Sequence, residues 1–414
     1  MRHVTVSLST SSNAGNVDSD SASAPIPIQN DAPAPQRSAR AFGPVPNWSV
    51  RIPQLDGLRG IAILLVLLNH AVLGMPTNSR FWAKVVSCFQ LTWSGVDLFF
   101  VLSGFLIGGI LLDNRESPRY FQTFYIRRFY RIFPLYGVVT GLFLTHHLPF
   151  RVISGMFGDT SPLTIPWWSY VTLTQNFWMA HQGWYGATAM AVTWSLAVEE
   201  QFYLTIPLVV RLVPPKRLLY VLLAVVAGAP LLRIVLRLVL IHGDYACYVL
   251  MPCRADALCM GVLSAMLVRS ERGWKLLREK QNLLLAVTAV LFAGVVFMTY
   301  QQYGQFSLPM TTIGYSWLAL FYMSCLLVAV SAPQRWALLR NRTLMGLGTL
   351  AYCTYLVHFP VLNGARRLLG LRMSQDQAWF PGGLLGVAAT LLIATLSWKY
   401  FEKPLLRRGH KYVY

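Results

Sequence analysis

The chain has 414 residues, 55% of them hydrophobic and only 12% charged, with a formal net charge of +19 and a mean hydropathy of +0.47. That balance excludes a soluble globular protein and describes a polytopic membrane protein in contact with a lipid bilayer. So basic a soluble chain would suggest nucleic acid, but here Lys and Arg cluster between apolar runs, as in membrane loops, so no nucleic-acid partner is expected.

Residues 1–50 are rich in Ser, Ala, Pro, Asn and Asp and contain no apolar core fit for a signal peptide, so they read as a disordered tail. Residues 51–414 read as one transmembrane domain. Apolar segments long enough to span follow at 58–75, 91–112, 131–147, 191–212, 217–241, 250–268, 282–300, 311–331, 344–364 and 381–402. The fold class is therefore all-α, a bundle of about ten transmembrane helices. The six cysteines show no CxxC pair and lie mostly in or beside these spans, which suits packing rather than metal ligation or disulfides; no metal is expected.

The even-numbered connections are basic, as with Arg115, Arg119, Arg127 and Arg128 in the second, while the fifth and seventh carry no Lys or Arg. By the positive-inside rule both termini are expected on the cytoplasmic side of the cell's inner or plasma membrane. The ninth connection conflicts with this pattern, because Arg366, Arg367 and Arg372 fall where the outer face is expected.

Against this apolar background the ionisable residues stand out, since lipid does not solvate charge and such groups mark functional sites. Arg59 opens the first span and His70 lies eleven positions later, so both share one helix face about 16 Å apart. Counting about 1.5 Å per residue from the outer ends puts His70, Asp97, Glu199, Glu200, Arg254, Asp256 and His358 in one outer layer about 6 to 14 Å deep. The bases of the first and third helices carry Arg59, Arg128 and Arg131, a cationic ring suited to phosphate. The long connection 148–190 contains Trp167, Trp168, Tyr170, Trp178, Trp184 and Tyr185, which fit an interfacial aromatic belt or an aromatic wall for a sugar or lipid acceptor.

Several motifs in this order resemble the acyltransferase-3 family of integral membrane O-acyltransferases over about residues 52–407. They are Leu-Asp-Gly-Leu-Arg-Gly-Ile-Ala from Leu55 with His70 beyond it, Asp-Leu-Phe-Phe-Val-Leu-Ser-Gly-Phe-Leu-Ile from Asp97, and Arg128 with Arg131 before Pro134. Trp-Ser-Leu-Ala-Val-Glu-Glu-Gln-Phe-Tyr-Leu from Trp194, Arg254-Ala-Asp-Ala-Leu, Tyr355-Leu-Val-His and Phe-Glu-Lys-Pro from Phe401 complete the set. The resemblance implies a domain that takes an acyl group, acetyl among the candidates, from cytoplasmic acyl-CoA. It passes that group to a hydroxyl of a carbohydrate, glycolipid or glycoside acceptor. Acyl-CoA would be a co-substrate, with no bound cofactor. Some members carry a fused extracytoplasmic domain that finishes the transfer; none is expected within this chain, which would act on its acceptor directly or through a separate protein.

On this reading Arg59, Arg128 and Arg131 hold the CoA phosphates and His70 acts as general base, or as an acyl carrier, with Glu199, or failing it Glu200, orienting its ring. Asp97, Arg254, Asp256 and His358 support the site or bind the acceptor. A transporter or flippase for an anionic lipid-linked sugar is the competing class, weakened by the lack of an internal repeat.

Overall fold

The computed structural model describes residues 52–72, 80–147, 164–332 and 336–414. The tail expected over 1–50 lies outside them. A helix satisfies all its backbone groups internally, which a lipid interior demands, and every regular element among the described residues is helical.

Among the described residues ten helices are long. They are α1 (Pro53–Val72), α3 (Gly95–Asp113), α4 (Tyr120–His147), α7 (Thr193–Leu212), α8 (Pro215–Val239), α10 (Met251–Arg269), α12 (Gln281–Tyr300), α13 (Tyr315–Ser331), α14 (Arg342–Gly370) and α15 (Gln375–Ser397). Between them lie the short helices α2 (Arg80–Cys88), α5 (Trp167–Val171), α6 (Gln175–Gln182), α9 (Gly243–Val249) and α11 (Glu271–Glu279), and α16 (Lys403–Gly409) follows. Among the described residues eight spans are apolar and long enough to cross a membrane. The other two long helices, α4 and α7, carry Arg127, Arg128 and Arg131, and Glu199, Glu200 and Arg211, so their polarity reflects what they hold.

Two close-packed seams organise the bundle. Gly57 and Gly60 of α1 face the backbone carbonyls of Leu339 and Leu344, and Gly348 of α14 faces that of Asp56, so a β-carbon at any of the three would strike backbone. Small residues that let helix backbones touch are the usual device where no hydrophobic effect drives helices together. Gly104 of α3 and Gly261 of α10 make the second seam against Leu258 and Val101. The first seam lays α14 along α1, and the second buries α10, of which 15 residues are buried. Peripheral α12 has Met298 as its one buried residue and faces outward along its length.

Two π-helical turns interrupt the spans, at Met310–Gly314 ahead of α13 and at Trp398–Glu402 between α15 and α16. Such turns free backbone carbonyls from the helical ladder and gather at functional positions. The first leaves the Thr312 carbonyl to accept from Arg233, at 3.3 Å from Nε and 3.2 Å from Nη2.

Candidate active site

The sequence-identified residues fall into three groups rather than one layer. The first is a histidine pair. α1 and α14 bring His70 and His358 together, with 3.2 Å between His70 Nδ1 and His358 Nε2 and the rings meeting edge-on at 4.8 Å. His358 Nδ1 lies 2.7 Å from the Tyr355 carbonyl and 3.2 Å from that of Thr354, and since carbonyls only accept, this nitrogen carries the proton. His358 Nε2 is then an acceptor, so His70 Nδ1–H donates to it and to the Val66 carbonyl at 3.0 Å. The network thus assigns His70 the tautomer whose Nε2 holds the free lone pair.

His70 opens onto a cavity of about 120 Å³, lined also by Asn69, Trp93, Tyr185, Trp194, Tyr248 and Tyr355. Its walls are fixed by rings packed on one another: Trp194 on Tyr248 at 4.4 Å, Trp93 on Tyr248 at 5.7 Å, and Tyr185 on Tyr245 at 5.4 Å. The Tyr355 hydroxyl is tied to Ser195 Oγ at 2.6 Å and donates to the Val192 carbonyl at 3.0 Å, which pins α14 to the start of α7. The aromatic connection therefore divides. Tyr185 belongs to the cavity, Tyr170 is buried, and Trp167, Trp168 and Trp184 remain exposed as in an interfacial belt.

The second group lies behind the cavity wall. Arg254 pairs with Asp97 across α10 and α3 and stacks over Tyr315, 4.0 Å from its centroid. Asp256 does not pair with Arg254. It takes Arg233 of α8 at 3.0 Å and a hydrogen bond from Ser316 Oγ at 2.6 Å. All four charged side chains are buried, so each needs an opposite charge at hand. Asp97, Arg254 and Asp256 thus stiffen the helices around the cavity without lining it.

The third group is at the other end of α1. Arg59, Arg128 and Arg131 are mutual electrostatic neighbours, with Glu199, Glu402 and Tyr203 close by. Each arginine is half-buried. Among the described residues none of the three donates a hydrogen bond or forms an ion pair; Arg128 lies over the Tyr203 ring at 5.9 Å. Asp56, one turn before Arg59 on α1, is the nearest carboxylate neighbour of this cluster.

Here the structure corrects the expectation for the carboxylates. Glu199 accepts from Ser103 Oγ at 2.8 Å and Tyr203 OH at 3.3 Å, and its electrostatic neighbours are Arg59 and Arg128. Glu200 is buried with Oε1 unpartnered and has Arg128 as its cationic neighbour. The first turn of α7 already lines the cavity through Trp194, so Glu199, about 8 Å further along, belongs to the arginine end. Depth counted residue by residue gives a level for an upright helix and says nothing of its rotation. His358, expected only as a supporting group, is the ring partner of His70.

Two residues escaped the sequence reading of the site. Arg233 was visible as a charge within the apolar run of α8, one turn before Arg237. Arg366 appeared only as part of the discordant ninth connection.

A family model described as an acyltransferase domain matches residues 52–399. The peptidoglycan O-acetyltransferase OatA of Listeria monocytogenes is 27% identical over 382 residues, covering 86% of this chain and 56% of the relative. The O-acetyltransferase OatA of Staphylococcus aureus is 25% identical over 373 residues, covering 87% and 58%. The chain thus spans little more than half the length of these relatives. No solved structure matches it.

Proposed function

Because the chain belongs to this family of acyltransferase domains, we propose that it moves an acyl group from cytoplasmic acyl-CoA to a hydroxyl of a carbohydrate acceptor, with both termini cytoplasmic. The peptidoglycan in the name of one relative supports a cell-envelope glycan as the acceptor class. One observation carries the reading. A single helix, α1, joins an arginine receptor at Arg59 to an imidazole on a cavity at His70, eleven residues and about 16 Å apart, a span an extended pantetheine arm can bridge.

The donor's phosphates dock on Arg59, Arg128 and Arg131, and in their absence Glu199 offsets part of that charge. The thioester then reaches the His70 cavity. His70 Nε2 takes the proton of the acceptor hydroxyl as its oxygen attacks the thioester carbonyl, and the C–S bond breaks. The departing thiolate takes the proton back from the imidazolium. Throughout, Nδ1–H stays on the Val66 carbonyl and His358 Nε2, two neutral acceptors that hold the ring's orientation and tautomer while it carries the proton.

The test is release of free CoA by the purified protein in lipid nanodiscs, with acetyl-CoA and longer acyl-CoAs and a soluble glycan acceptor. Acyl-glycan and CoA should form in equal amounts. Failure to release CoA from any acyl-CoA contradicts the proposal.

A further inference from the structure

The ninth connection broke the charge pattern of the others, and Arg366 supplies a physical reason. It lies on α14 about 12 Å beyond His358. Rather than reaching into the headgroups, its Nη2 donates to the carbonyls of His70 at 2.9 Å and Ala71 at 3.0 Å. Those carbonyls belong to the last turn of α1, which ends at Val72. The final carbonyls of a helix lack intrahelical donors and carry the negative end of its dipole, so a cation there meets both needs.

The side chain runs through a built slot. Its guanidinium lies 3.8 Å from the Trp379 ring centroid. Gly382 of α15 leaves the passage open, since a β-carbon there would come within 2.8 Å of both Arg366 Cα and Cγ. Nε is buried without a partner, a desolvation cost borne while Nη2 stays on α1.

We propose that Arg366 is a positioning residue for His70. α14 grips the reacting turn of α1 at two points, the imidazole through His358 and the backbone through Arg366, and so keeps Nε2 on the cavity. The proposal rests on the reading of His70 as the base of acyl transfer.

The experiment compares the full-length wild type with Arg366→Ala, Arg366→Lys and Trp379→Leu in nanodiscs, by hydrogen exchange and steady-state kinetics. Arg366→Ala should speed exchange in the last turn of α1 and lower kcat by about 10- to 100-fold, the scale of a small misplacement of a reacting group. KM for donor and acceptor should stay within about twofold. Lys, which reaches one carbonyl but lacks the planar fork, should restore part of kcat. Trp379→Leu keeps the guanidinium, and should lower kcat in the same sense where the Ala variant does not accumulate.

A kcat within twofold of wild type in Arg366→Ala overturns the proposal. So does faster exchange throughout the bundle with both KM values rising, the pattern of general loosening. If the wild type transfers nothing, the functional reading fails by itself, and exchange at the end of α1 still decides whether Arg366 holds that turn.

Discussion

At His70, what matters is which nitrogen holds the proton. Two carbonyls fix the proton on His358 Nδ1, His358 Nε2 then takes Nδ1–H of His70, and the lone pair on His70 Nε2 is the consequence. His70→Ala should lower turnover by about 10²- to 10⁴-fold, the usual worth of a positioned base, with the donor affinity unchanged. His358→Ala should cost at least about tenfold in kcat while KM holds, because the ring is misdirected rather than lost. A kcat equal to that of wild type would remove His358 from the account. A third histidine supplies a pH dependence. Partial burial and the neighbouring Arg127, Arg131 and Arg128 hold His410, just past α16, below the ordinary histidine range. An anion docked on the arginines relieves that repulsion, so binding draws a proton onto His410. Donor affinity should therefore rise as pH falls through the histidine range, and His410→Gln should flatten the slope. Titration of CoA binding by calorimetry at several pH values reads this directly.

The working element is the α1–α14 seam, because it sets the distance between His70 and His358. A leucine at Gly348 must push α14 away from the Asp56 carbonyl. Gly348→Leu should therefore cost about 100-fold or more in kcat through separation of the two rings, even where the protein still accumulates. Wild-type kcat in that variant would show that the seam does not set the ring geometry. The α8–α10 contact behaves differently. Arg233 and Asp256 are both buried, so removing one leaves the other charge without its partner. Asp256→Leu should lose about 3 kcal/mol or more in detergent unfolding, and Arg233→Met with Asp256→Leu should recover much of it, since a buried pair contributes far less than its halves cost when orphaned. A double-variant loss equal to the sum of the separate Asp256→Leu and Arg233→Met losses would show that the pair is not coupled.

Across the whole molecule, α1 links two groups of polar side chains, an arginine cluster at one end and a histidine pair on a cavity at the other. This division was legible in the sequence, because Arg59 and His70 are ionisable residues at fixed spacing in an apolar run, and lipid makes such residues conspicuous. The helices themselves were legible for the same reason. Their partners were less so, because residue spacing gives depth along a helix but not its rotation or tilt. Glu199 shared a nominal level with His70 and yet faces Ser103 and Tyr203, and Asp256 passes over its near neighbour Arg254 for Arg233 on another helix. Arg366 was legible only as a violation of the positive-inside pattern, since what it meets is a helix end 296 positions away. The most direct test of the two-ended account is to measure CoA binding and acyl turnover side by side in His70→Gln and Arg131→Gln. His70→Gln should bind CoA as wild type does with turnover lost, and Arg131→Gln should bind at least about tenfold more weakly with residual turnover at saturating donor. Loss of binding in His70→Gln, or unchanged binding in Arg131→Gln, would contradict it.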